Sequence, residues 1–223
     1  MNVGIVGCGN MGRTLGRLWA RAGHEVAFGS RDRMKAGAAA AAARGSAPTW
    51  AGRPDDAAAF GDAVLYTVGN VLPRNVLDEP RNLAGKIVID CTNSDLFGLE
   101  VADPLASIGS PHAPSLAERL AEDVPGARVV KAFNTIPAQV LALGRKVLTP
   151  HRISAFVCSD DVEAKAVVGD LAEDLGLVAV DSGGLQRARL VETVGDFVRY
   201  QIIAMRHGPL ATISLQVLSE LAA

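Results

Sequence analysis

The chain has 223 residues, 49% of them hydrophobic and 21% charged, with a formal net charge of −2. That length suits one large domain, or a main domain with a smaller C-terminal extension. The near-neutral charge gives no general attraction to nucleic acid or to an anionic membrane, and Gly, Pro or charge interrupts every apolar run before the roughly 20 residues that a membrane span needs.

Taken in chain order, the first predicted strand is Asn2 to Val6, followed at once by GCGNMG and a helix over Asn10 to Ala22. Because the N-terminus enters a strand pattern without a basic region or cleavage site, a cytoplasmic setting is expected. Gly7, Gly9 and Gly12 stand in G-x-G-x-x-G spacing between strand and helix. This is the dinucleotide fingerprint: the first Gly for the tight turn, the second for close approach of a diphosphate, the third for helix packing on the strand. The backbone N–H groups at the helix start, around Asn10 and Met11, then face the phosphates.

The second strand, Glu25 to Phe28, leads into GSRDRMK and a helix over Arg31 to Arg44, whose six alanines at 38–43 read as a helix lying close to a sheet. An acidic residue commonly stands at this strand tip to hold the ribose 2′-hydroxyl. Here the tip carries Ser30, Arg31 and, one helical turn on, Lys35, which supply donors and positive charge for a 2′-phosphate. The cofactor is therefore read as NADP. Asp32 keeps an alternative open, since a shift of two residues would bring it to the ribose, but it also suits the first turn of the next helix as a capping anion.

A weaker strand is expected near Ala47 to Trp50, then strands at Ala63 to Val68, Lys86 to Asp90, Arg128 to Ala132 and Ser154 to Cys158. Helices are predicted over Leu72 to Leu77 and Ser115 to Ala121. Beyond them come a helix over Asp161 to Leu175, a strand at Leu177 to Val180, and helices over Leu185 to Met205 and Ala211 to Leu221. Short apolar strands alternating with helices define an α/β class. The reading is a Rossmann-type, doubly wound, mainly parallel sheet (residues 1–158) with a small C-terminal α/β extension ending in helices (residues 159–223). Three widely spaced cysteines and four histidines without paired-ligand spacing give no disulfide framework and no metal site.

RVVKAFNT at 128–135, VDSGGLQRARLVE at 180–192, the GxGNxG form of the fingerprint and SRDRMK together resemble the NADPH-dependent reductases of the deazaflavin coenzyme F-420. The cytosolic reductase domains of membrane metalloreductases are similar too. The resemblance implies that Ser30, Arg31 and Lys35 hold the 2′-phosphate. It implies that Thr67, Val68 and Gly69 and Ala132, Phe133 and Asn134 line the nicotinamide. It also implies a homodimer, with the apolar helices after Leu185 as interface candidates; packing over the edge of their own sheet is the alternative. TVGN departs from the family by placing Gly69 and Asn70 where many members have Pro and an aromatic residue, beside the second substrate.

Hydride transfer between nicotinamide and a deazaflavin or flavin needs ring alignment and exclusion of water more than acid–base help. Reduction of a carbonyl would call for a proton donor, and no catalytic side chain is singled out. NADPH-dependent reduction of a flavin, an iron chelate, or a small carbonyl or imine stays open as a second reading. A non-catalytic NADP-binding protein is the third.

Overall fold

The computed structural model of the chain describes residues 1–43, 45, 47–69, 71–93 and 114–218. Six parallel strands form one sheet in the order β3-β2-β1-β4-β5-β6: β1 (Asn2–Val6), β2 (Glu25–Gly29), β3 (Thr49–Gly52), β4 (Ala63–Tyr66), β5 (Ile87–Asp90) and β6 (Arg128–Lys131). The order runs outward in both directions from β1 and β4, so a crevice opens at the carboxyl ends of these two strands. Ligands bind at that switch point in doubly wound sheets.

The helices α1 (Asn10–Ala22), α2 (Arg33–Ala43), α3 (Pro54–Phe60) and α4 (Leu116–Asp123) cover the two faces. Strand alternation sorts the core accordingly. Val3 and Ile5 pack with Leu15, Trp19 and Phe28 on one side, while Val6 joins Val64, Tyr66, Val88 and Leu120 on the other. Because these strands are buried on both faces, their sequences are continuous apolar runs.

After β6 come two short helices, α5 (Ala138–Leu141) and α6 (Arg145–His151), and then a second unit. In it β7 (Ser154–Val157) pairs in parallel with β8 (Val178–Asp181) across α7 (Val162–Glu173). A single antiparallel bridge joins it to the main sheet: Lys131 N–H donates to the Cys158 carbonyl at 2.9 Å, and Cys158 N–H returns to Lys131 at 3.0 Å. The last helix, α8 (Ala188–Ile203), crosses back toward the main sheet, following a 3-10 turn over Leu185–Arg187. Among the described residues no helix is long and apolar enough to cross a membrane.

Several elements differ from the sequence-based expectations. The predicted helix over Leu72 to Leu77 is only a 3-10 turn at Pro73–Asn75, since Pro73 leaves little chain before Asp78 in which to build an α-helix. α3, α5 and α6 were not expected. The predicted helix Ala211 to Leu221 does not form over residues 211–218, and 219–221 lie outside the described residues. Its β-branched Thr212, Ile213 and Val217 are poor helix formers. The segment instead hydrogen-bonds to β7, with Ser154 N–H donating to Ser214 Oγ at 3.3 Å and Leu215 N–H to Ser154 Oγ at 3.0 Å.

Candidate dinucleotide site

The turn between β1 and α1 has the geometry that the fingerprint requires. Gly7 adopts φ 108°, a left-handed conformation open to glycine without strain, and its N–H donates to Gly29 O at 3.0 Å. Thr67, at the end of β4, donates its hydroxyl to Gly7 O at 2.8 Å and so ties the two strand ends together. A Cβ at Gly12 would lie 2.0 Å from Gly7 O, so only glycine lets α1 seat this closely. At Gly9 nothing among the described residues lies within 4 Å of an added Cβ. α1 has no side-chain N-cap bond and no acidic residue in its first turn. Its first N–H groups, at Asn10, Met11 and Gly12, therefore have no intrahelical partner and are available to an anion.

At the tip of β2 the Asp32 ambiguity resolves locally. Its Oδ1 accepts from Met34 N at 3.0 Å and Lys35 N at 3.2 Å, which makes it the cap of α2, and Lys35 Nζ lies 3.8 Å from its other oxygen. The carboxylate is spent on the helix start. Ser30 N–H continues the sheet to Gly52 O at 3.1 Å, and Ser30 Oγ accepts from Asp32 N–H at 3.2 Å. Arg31 and Arg33 are exposed and have no ion-pair partner among the described residues. They border a cleft of about 470 Å³ together with Arg53 and Arg74. Arg53 pairs with Asp78 and Arg74 with Asp123. Neither was singled out from sequence, although Arg53 follows the tip of β3 just as Arg31 follows that of β2.

At the far end of the crevice Val68 is half-buried and Gly69 exposed, with no other described residue within 4 Å of a Cβ added at Gly69; Asn70 lies outside the described residues. Ala132 and Phe133 are wholly buried. Phe133 sits at φ 65°, a costly conformation for an aromatic residue, with its ring edge-on to Trp19 at 5.7 Å. That backbone turn presents Asn134, whose Nδ2 donates to Asn93 Oδ1 at 2.8 Å and to Val191 O at 3.0 Å. Asn93 Nδ2 returns to Asn134 O at 2.7 Å.

Beneath this loop Lys131 is fully buried, its Nζ donating to Asp90 Oδ2 and Glu192 Oε1, each at 2.9 Å, and to Thr92 O at 2.5 Å. Burial pulls its pKa down, but the two carboxylates outweigh that and hold it above the ordinary lysine value. Lys131 is thus a permanent cation in the wall and not a proton donor. Sequence distance, with Asp90, Lys131 and Glu192 on three elements, concealed this cluster. The three cysteines are likewise inert: burial pushes Cys8 and Cys158 up to about 11 and Cys91 to about 12, far from the thiolate form at neutral pH. The site thus offers helix-start N–H groups and arginines at one end and an amide-lined recess, bordered by Arg199, at the other. It is suited to aligning a cofactor rather than to acid–base work.

Residues 2–94 match the family model described as "NADP oxidoreductase coenzyme F420-dependent". The F420-dependent NADP reductase of Methanothermobacter thermautotrophicus is 33% identical over 208 residues, which cover 87% of this chain and 86% of that protein. Metalloreductase STEAP3 of Rattus norvegicus is 30% identical over 194 residues, and there the chain spans only 36% of the relative's length. A solved structure from Arthrobacter sp. FB24, 26% identical, superposes with a TM-score of 0.71 over 93% of this chain and 96% of that one. An imine reductase from Bacillus cereus, 18% identical with a TM-score of 0.63 over 92% of this chain and 63% of that one, shares the fold. With a relative of nearly equal extent at this identity, the chain belongs to the coenzyme F420-dependent NADP oxidoreductase family and is an NADP-dependent oxidoreductase of Rossmann-type fold.

Proposed function

We propose that the protein transfers hydride between NADP(H) and the deazaflavin coenzyme F-420. The observation that carries the donor half is the tip of β2, where Asp32 is turned into the α2 cap while Arg31 and Arg33 stay free in the cleft. The acceptor half draws on the kinship with F420-dependent reductases. NADPH would supply the hydride and the deazaflavin would take it up with one proton from solvent. Asn10, Met11 and Gly12 would hold the diphosphate by backbone N–H groups, Ser30, Arg31 and Lys35 the 2′-phosphate, and Thr67, Val68, Gly69 and Asn134 would border the nicotinamide. Arg199 is the one ionised group among the described residues of the recess beyond. This fits two rings that exchange hydride directly better than reduction of a carbonyl.

The decisive assay mixes purified protein with NADPH and coenzyme F-420 and follows loss of deazaflavin absorbance; no turnover overturns the acceptor assignment. Arg31→Ala should raise the KM for NADPH tenfold or more and barely affect NADH, because a charge-assisted phosphate contact is lost. Equal effects on both cofactors would remove Arg31 from the 2′-phosphate.

The open space around Gly69 supports a second reading, reduction of a free flavin or an iron chelate, which the same assay tests by exchange of acceptor. We also propose a homodimer built on α8, whose Leu190, Phe197 and Ile203 are more than half exposed. Equilibrium sedimentation checks it.

A further inference from the structure

Arg53 leaves β3 directly beside the serine proposed to hold the 2′-phosphate. In the parallel pairing of β2 with β3 the last matched residues are Gly29 and Gly52, and Ser30 N–H donates to Gly52 O at 3.1 Å. Neighbouring strands stand about 4.8 Å apart, so one step beyond that pair Arg53 flanks Ser30. The two tips are pressed together: a Cβ at Gly29 would lie 2.8 Å from Arg53 O. Arg53 N–H donates to Asp56 Oδ2 at 2.7 Å, and Pro54 restricts the backbone of the residue before it. Only the side chain of Arg53 is left to move, and it borders the cleft of about 470 Å³ shared with Arg31 and Arg33.

The two arginines of that cleft with acidic partners differ in how firmly they are held. Arg74 pairs with Asp123, whose side chain is 1% exposed and also accepts from Arg74 N–H at 3.0 Å. It is a fixture of the wall. Arg53 pairs with Asp78, which reaches across from the segment after β4, and these two side chains are 55% and 69% exposed. The Asp78 carboxylate has no other hydrogen-bond partner among the described residues. An ion pair so open to water is weak, whereas a phosphate brings close to two charges and three acceptor oxygens to the guanidinium fork.

We propose that Arg53 is an exchangeable determinant of cofactor choice, additional to Ser30, Arg31 and Lys35. In the free protein Asp78 holds its guanidinium across the cleft, and the 2′-phosphate of NADP draws it over. NAD offers no such group, so with NAD bound Arg53 stays on Asp78. Asp78 therefore acts against the arginines around it, since both its charge and its hold on Arg53 oppose the phosphate. The inference rests on the NADP donor reading and concerns the adenosine end alone, so it is independent of the hydride acceptor.

The test is the Kd for NADPH and for NADH, which differ only in the 2′-phosphate, measured by fluorescence titration on Arg53→Met and Asp78→Asn. Both side chains are more than half exposed, so neither change should lower the melting temperature appreciably. Arg53→Met should raise the Kd for NADPH roughly three- to tenfold, less than for an unpaired arginine because the bond to Asp78 is given up in binding. Asp78→Asn should lower it roughly two- to fivefold, the strength of an exposed ion pair. The Kd for NADH should stay within about twofold in both variants, since no phosphate is there to attract Arg53. A pair that merely braced the cleft would make both variants bind NADPH more weakly, and that result overturns the exchange. So does an Arg53→Met variant that binds NADPH as the wild type does, or an Asp78→Asn variant with no gain. Wild-type protein that binds NADPH and NADH equally overturns the 2′-phosphate reading itself, whereas absent turnover of coenzyme F-420 with these shifts intact overturns only the acceptor.

Discussion

A methyl group added at Gly12 would meet a carbonyl oxygen at 2.0 Å, whereas one added at Gly9 would meet nothing among the described residues within 4 Å. The two glycines of one motif thus differ: packing demands Gly12, whereas only the proposed diphosphate contact demands Gly9. Gly12→Ala should lower the melting temperature and abolish NADPH binding together, since α1 must move off β1. Gly9→Ala should unfold within about 0.5 kcal/mol of the wild type, as surface changes do, yet bind NADPH at least tenfold more weakly. Thermal unfolding and fluorescence titration on both variants check this, and equal losses of stability would contradict it. At this scale the glycine turn and the start of α2 were legible from sequence because their logic is local: Gly7, Gly9 and Gly12 are neighbours, and Asp32 caps residues two and three places on. The amide pair was not legible, since Asn93 and Asn134 are 41 positions apart and nothing in either local sequence announces the other. Phe133 was read as lining the nicotinamide, but its side chain lies in the core, and what reaches the recess is the Asn134 that its strained backbone presents.

Among the elements, strands were read well because a buried parallel strand is a short apolar run whatever its neighbours. Short helices were not. α3 has seven residues, too few for a helical period to stand out, although Pro54 at its first position and Asp55 and Asp56 behind it are start signals. α6 carries Pro150 within it and a single buried residue, Leu148, so its sequence reads as loop. α7 shows the reverse case, where the cap itself was visible. Asp161 accepts from Ala164 N at 2.9 Å and is bound by both Arg128 Nε and Nη2. The hydrogen bond from Arg128 first, then that from Ala164, holds its carboxyl well below the usual carboxylate range. Asp161→Ala should cost about 1 kcal/mol at neutral pH, chiefly through the cap; the partly exposed ion pair adds little. A carboxylate whose pKa is depressed by folding stabilises above its unfolded value and loses that contribution as pH falls toward the folded one. The gap between wild type and variant should therefore narrow below about pH 4, as urea titrations at stepped pH would show.

For the molecule as a whole, the buried cation of Lys131 holds four parts in one place: the end of β5 through Asp90, the end of β6, the loop at Thr92, and α8 through Glu192. Glu192 Oε1 also accepts from Leu116 N at 2.9 Å and so fixes the start of α4. Lys131→Met keeps the length of the side chain but leaves two buried carboxylates without their cation. It should cost about 3–5 kcal/mol, read from urea unfolding, with binding of NADPH lost in proportion to unfolding and not before it. α1 is pinned in a comparable way at its other end. Trp19 Nε1 donates to Leu171 O at 3.0 Å across 152 positions, and His24 meets Asp174 at 2.9 Å. The helix whose N-terminus is proposed to hold the cofactor diphosphate therefore cannot finish packing until α7 has been made. On the ribosome, a nascent chain that already displays the whole glycine turn would still lack the wall behind its largest buried ring. Cofactor affinity should therefore appear late in synthesis, after about three quarters of the chain has emerged, and any fragment ending at β6 should expose Trp19 to solvent quenchers.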